Sequence, residues 1–418
     1  MKSFLRKSKI FAITLLIVNL LFAGTASAKT TTWNLATGGL WTTAGNWNNG
    51  VPVAGDDVII NSTSSAITAV PNISLASLTI GGTCQLSGSG NPSLITVTGT
   101  FSVSTGNVFT LGVGVSTNRV NITLASTGTG TISGTVNLST GTTNAIFTNA
   151  GDLTISSTGV IDDISDVSDF ALSATGILRI GSTSGISTTA GTGNIRVTGT
   201  RTYTAGSEVI YNGSAAQVTG NAIPTTSDIT IDNAAGVSLT AAYTGTGTLT
   251  MTDGTLNMAN FNLSVGGLTG SGNLTHSSGA AGVRTLAVTG NSSPAAYTGV
   301  ISNGTATSVL LTKSGNGTLT LNGLNTYTGT TTIGAGTISI NTLQSVSGGA
   351  SSLGAPTTVA NGTIIPVDVA VLLYTGAGHS SNRIIQTETD GSTIDASGSG
   401  TLTLSGGITA GGNNNLII

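Results

Sequence analysis

The feature that most restricts this chain is an internal echo within Lys313 to Ile340, KSGNGTLTLNGLNTYTGTTTIGAGTISI. Gly315, Gly317, Thr318, Leu319 and Leu321 return nineteen positions later as Gly334, Gly336, Thr337, Ile338 and Ile340. The pattern is G-x-G, then Thr or Asn, then an aliphatic, a polar and a hydrophobic residue. It recurs at Gly128, Gly191, Gly245, Gly270 and Gly398. Glycines let the backbone turn through positive φ, and alternation of period two marks a strand with one buried face. A strand-and-turn unit of about twenty residues cannot bury its apolar face alone and must stack on copies of itself, which is the signature of a solenoid. The echo predicts that Leu319, Leu321, Ile338 and Ile340 share one interior column, with Leu319 near Ile338 in the next coil. A charge at Leu321 should then destabilise the protein by several kcal/mol.

Composition agrees. Charged residues are 6% and aromatic residues 4% of the chain, and glycine fills 61 of 418 positions. Thr, Ser and Asn provide the solvated surface, Val, Ile and Leu remain plentiful, and no helical periodicity follows the leader, so an all-β fold is expected. Met1 to Ala28 reads as a cleaved signal peptide: Lys2, Arg6, Lys7 and Lys9 begin it, Ile10 to Phe22 is apolar, and Ala26-Ser27-Ala28 is the cleavage site. The apolar run is short for a bilayer span, and Asn19 interrupts it. Export to the cell surface or beyond follows, with no membrane span expected in the mature chain. Loss of the leader leaves eight basic residues against 15 acidic ones, a net charge of about −7, which gives no footprint for nucleic acid. The single Cys84 cannot form an internal disulfide, and GGTCQLSGSG around it offers no base to activate a thiolate.

Residues 29–72 have a texture of their own and contain Trp33, Trp41 and Trp47, all the tryptophans of the protein. A Trp-rich N-terminal cap over the open end of the hydrophobic column is one reading, and a sugar-stacking platform is the other. The block resembles the segment that opens many large secreted bacterial β-repeat proteins, through Asn46-Trp47, Gly50, Pro52, Asp56 and Asp57 followed by Val58 to Ile60. Residues 73–295 read as solenoid coils. Strands are expected at Leu75 to Ile80, Leu94 to Val103, Val120 to Leu124, Thr135 to Leu138, Leu153 to Ile155, Ile177 to Ile180 and Ile195 to Thr198. Within Ala205 to Val265 the inward ladder should be Val209, Ile229, Ile231, Val237, Leu239, Leu249, Met251, Leu256 and Leu263. Two-residue hairpin turns are rare between these strands, which favours stacked parallel coils over a meander.

Residues 296–418 resemble the autotransporter-associated β-strand repeat, whose core G.GTLTL.G.NTYTG.TTI.AGTL is matched by Gly315, Gly317 to Leu321, Gly323, Asn325 to Gly329, Thr331 to Ile333 and Ala335 to Ile338. Thr330 and Ile338 are departures from the commoner Gly and Leu. The resemblance implies a passenger-like, right-handed parallel β-helix on or outside the cell, without family-wide catalytic residues; no cofactor is expected. The chain stops at GGNNNLII, and no charge follows Asp395. This suggests a truncated passenger whose C-terminal edge, from Leu402 and Leu404 to Ile417 and Ile418, pairs with a second copy.

Candidate chemistry is sparse. Asp162, Asp163, Asp166 and Asp169 in IDDISDVSDF are a calcium candidate, although their spacing fits no calcium loop, and a solvated loop is the plainer reading. A lyase would add a basic residue, and Arg179, about one coil on, is the first downstream. His276 occupies the repeat position of Leu321 and Met251, whereas His379 lies in GAGHSSNR, and neither has the setting of a catalytic triad. The G-x-G pairs precede strands and are not phosphate loops. The expectation is a non-enzymatic structural or adhesive solenoid touching glycans or surface polymers along a Thr/Ser/Asn exterior. The alternatives are a β-helix polysaccharide lyase or hydrolase, and a non-functional fragment.

Overall fold

A computed structural model describes residues 28–418 apart from 115–117, 139, 142–143, 164–167, 188–190, 278–281, 389–390 and 411–415. Residues 1–27 of the leader, Asp166 and the whole GGNNN run lie outside the described residues. The chain forms a parallel β-solenoid of about 15 turns. The ladders between its strands are parallel. Among the described residues the antiparallel contacts are the isolated bridges Trp33–Trp47 and Asn325–Ser351. No helix among the described residues is long and apolar enough to cross a membrane.

One interior column runs nearly the whole length. From the N-terminal end it reads Ile60, Ile80, Val103, Ile132, Ile155, Ile180, Tyr211, Ile231, Met251. It continues through Gly270, Tyr297, Leu321, Ile340 and Tyr374. Leu319 pairs with Ile338 and Leu321 with Ile340, and all four side chains are fully buried. The nineteen-residue echo is therefore the coil-to-coil register at this point. The G-x-G motif there has two separate jobs. Gly315 has φ +80°, and a Cβ on Gly317 would lie 2.0 Å from the carbonyl oxygen of Ser292 in the coil below.

Alternation sends the intervening residues outward. Thr79, Ser102, Thr131 and Thr154 form one outer ladder, which after Arg179 and the buried Ile210 and Thr230 resumes as Thr250 and Thr269. The expected inward set from Val209 to Leu263 is buried throughout.

Three expectations change. Coil length is not fixed near twenty residues: Leu256 stacks on Leu274, eighteen positions on, whereas Ile338 stacks on Leu372, thirty-four on. A ladder fixes only the strands, so insertions loop out between them at small cost. The longest insertion carries the short helix Val359–Gly362, whose last carbonyl accepts a 2.6 Å bond from Nε of the fully buried Arg383. Second, the G-x-G phase slips. Met251 pairs with Gly270, so the strand Asn273–Thr275 stacks on Thr255 to Asn257, and His276 lies beyond it instead of above Met251. Third, Ile195 to Thr198 is no strand but a single bridge to Ile161.

The C-terminal alternation also breaks up. Leu402 and Leu404 belong to a two-stranded ladder with Ala377–Ser381, while Leu416–Ile417 pairs with the strand Ser392–Asp395. Ile417 and Ile418 are exposed.

Candidate functional site

The tryptophans are buried, at 2%, 0% and 3% exposure for Trp33, Trp41 and Trp47. Trp47 sits edge-on to both others, with centroids 4.9 Å from Trp33 and 4.8 Å from Trp41, and its Nε1 donates to the Trp41 carbonyl at 2.7 Å. Stacking a pyranose needs an open ring face, and this edge-to-face cluster leaves none. The sugar-platform reading is overturned for these three residues: an apolar area this large gains most by joining the core it adjoins.

The described carboxylates of the acidic run do not gather into one cluster. Oδ1 of Asp162 accepts from the amide of Asp163, and its Oδ2 lies 3.9 Å from Arg196. Asp163 is buried and its Oδ2 accepts from the Ser168 amide at 2.9 Å. Asp169, on the strand Asp169–Leu172, accepts from the Thr200 amide at 2.8 Å. These carboxylates each close a local turn or join neighbouring coils, and no cluster of three metal-ligating side chains occurs among the described residues. Arg179 is not turned toward them. It makes a two-pronged pair with Asp152 one coil below, at 2.8 Å for both contacts. The base nearest Asp162 is Arg196, which the linear spacing did not reveal.

Cys84 is buried, and desolvation pushes its thiol up to about 12. A thiol so placed stays protonated and is a poor nucleophile. His276 is buried with neither ring nitrogen hydrogen-bonded among the described residues, and burial lowers its pKa. His379 Nδ1 lies 2.9 Å from the Tyr374 hydroxyl, far along the chain from His276. Lys313 is an inward residue in the column Val265, Val288, Lys313, Ile333, Pro366. Its ammonium donates to the carbonyls of Ser314 and Gly315 at 2.9 and 2.6 Å, and desolvation lowers its pKa.

The site with most open chemistry is elsewhere. On another face of the solenoid two interior columns rise in parallel. Ile73, Ile95, Ile122, Phe147 and Phe170 lead to Arg201, and Leu75, Val97, Leu124, Asn149 and Leu172 lead to Tyr203. The strand Arg201–Tyr203 thus turns a guanidinium and a phenol to the side where the strands below it place apolar groups. Among the described residues no strand stacks on it from the next coil. That coil offers Ala222 to Thr226 instead, with Pro224, whose nitrogen has no hydrogen to give to a ladder. Thr226 Oγ1 ties this segment to the Tyr203 carbonyl at 2.6 Å.

The missing strand leaves a cleft of about 340 Å³ lined by Arg201, Tyr203 and residues 222–226. Arg201 Nη1 donates to the Ser187 carbonyl at 2.8 Å and its Nε to that of Val197. Among the described residues Nη2 makes no hydrogen bond and no carboxylate lies within ion-pair distance of Arg201. Desolvation lowers the Arg201 pKa, opposed by Tyr203. The Tyr203 ring packs 6.0 Å from Phe170, and its buried hydroxyl, without a partner among the described residues, is pushed up to about 12. The sequence reading passed over these residues. The usable signal was Pro224, one of only seven prolines, one coil after a charged residue in an R-T-Y alternation.

Residues 311–340 match a family model described as the passenger-associated-transport-repeat. No curated protein and no solved structure matches the chain. The matched residues are the echo whose leucines and isoleucines register coil on coil. In that repeat and in its solenoid fold the chain is similar to the passenger part of autotransporter proteins.

Proposed function

We propose that the mature chain is an exported, cell-surface rod with a structural and adhesive role. The observation that carries this reading is the pair of outer hydroxyl runs, Thr79, Ser102, Thr131 and Thr154, then Thr250 and Thr269, on a continuous core. Within each run a hydroxyl repeats at the strand spacing of about 4.8 Å. Such an array supplies many weak hydrogen bonds to a polymer of hydroxyl groups, and avidity follows from their number without a deep pocket. The transport-type repeat at 311–340 supports export.

The test is retention of the purified chain on surfaces coated with bacterial or host polysaccharides, compared with a variant carrying Thr131→Glu, Thr154→Glu and Thr250→Glu. Retention should be strong for the parent and lost for the variant at unchanged circular dichroism. Absence of retention on every polymer and on whole cells would remove the adhesive role.

A further inference from the structure

We propose that the cleft at Arg201 and Tyr203 is a binding site for a single acidic sugar, a uronate whose carboxylate meets the Arg201 guanidinium. Its placement sets it apart from a surface accident. The columns beneath it end on Phe170 and Leu172, and continuation by aliphatic residues would close the core. The chain instead puts a cation there and withholds the strand that would cover it. A local rule broken where a cavity opens is the pattern expected of a functional site.

The chemistry of the lining selects the ligand. The two carbonyl contacts of Arg201 hold the guanidinium plane and leave Nη2 free for an external acceptor. An arginine desolvated without a carboxylate is an incomplete ion pair, and a ligand carboxylate completes it with charge-assisted hydrogen bonds. Tyr203, Ala222, Ile223 and Pro224 offer the apolar wall against which the C–H face of a pyranose packs, and the exposed Thr225 and Thr226 lie at the rim where sugar hydroxyls would emerge. A volume of about 340 Å³ is near the lower end of the range for small-molecule sites and suits one ring. The proposal shares with the adhesive reading only the choice of a sugar. The need for a carboxylate comes from Arg201.

The probes are glucuronate, its methyl ester and inorganic sulfate, titrated separately into the full mature chain by calorimetry and by ligand-observed saturation-transfer NMR. Glucuronate should bind saturably, with the ester at least about tenfold weaker because it keeps the ring and loses the charge. Arg201→Gln should weaken glucuronate by a similar factor and leave the ester unchanged. The acid-to-ester ratio on the parent protein decides the matter even if the variant does not fold. Equal binding of acid and ester, an unchanged Arg201→Gln, or no saturation by about 10 mM glucuronate would overturn the proposal. Sulfate binding as tightly as glucuronate would overturn its sugar half. Retention on polymer-coated surfaces without monosaccharide binding would remove the cleft and keep the adhesive rod, and the opposite result would do the reverse.

Discussion

Leu321→Ala, set against Thr320→Ala on the same strand, tests the solenoid register most directly. Leu321 is fully buried between Tyr297 and Ile340, whereas Thr320 is partly exposed and pairs with Ser339 on the other face. Truncating a buried leucine loses about 1.5–3 kcal/mol of transfer free energy. The cavity adds to that according to how little the surroundings relax, at roughly 24 cal/mol per Å³. Relaxation is poor here, because backbone ladders hold neighbouring coils about 4.8 Å apart and the column cannot shorten to close the gap. Leu321→Ala should therefore cost about 3–4 kcal/mol, in the upper part of the range for such changes. Thr320→Ala should cost under about 1 kcal/mol, as a surface change with some loss of strand preference. Leu321→Asp should exceed both, since no cation stands ready in that column to receive the carboxylate. Urea unfolding gives the total, and hydrogen exchange across residues 318–340 shows that the loss is local, as expected when each coil contacts only its neighbours. Equal costs for Leu321→Ala and Thr320→Ala would refute the inward and outward assignment.

Lys313→Met should stabilise the protein near neutral pH, by about 1 kcal/mol, because it exchanges a buried ammonium for an apolar chain of similar length. The folded pKa of Lys313 lies below its unfolded value of 10.5. The cost of keeping it charged is complete below the folded pKa and is lost as pH rises toward 10.5, so wild-type stability should climb through that window relative to Lys313→Met. Paired urea titrations across alkaline pH measure it, and parallel curves would contradict the assignment. Millimolar Ca²⁺ should leave the melting temperature unchanged. A rise abolished by Asp163→Asn with Asp166→Asn would instead mark the acidic run as a metal site.

The echo at Gly315 and Gly334, with period-two alternation, told which residues face inward and favoured parallel stacking over a meander, as the ladders have it. A side-chain period of two leaves a strand with one buried face no other choice. The resemblance carried by Lys313 to Ile340 likewise stood in the sequence, and the matched repeat covers the same residues. Coil phase was not legible. The pattern G-x-G-T/N-L occurs both where a strand begins and just past a bend, so only the ladder could place Met251 on Gly270 and Leu274 on Leu256. The tryptophans were ambiguous for a similar reason, because the same residue serves a buried end or an open platform, and only packing distinguishes the two. The Arg201 cleft was the least visible. Its residues come from two successive coils, and it exists because Pro224 occupies the place of a strand above Arg201 and Tyr203. That absence becomes a cavity only once the coils are stacked.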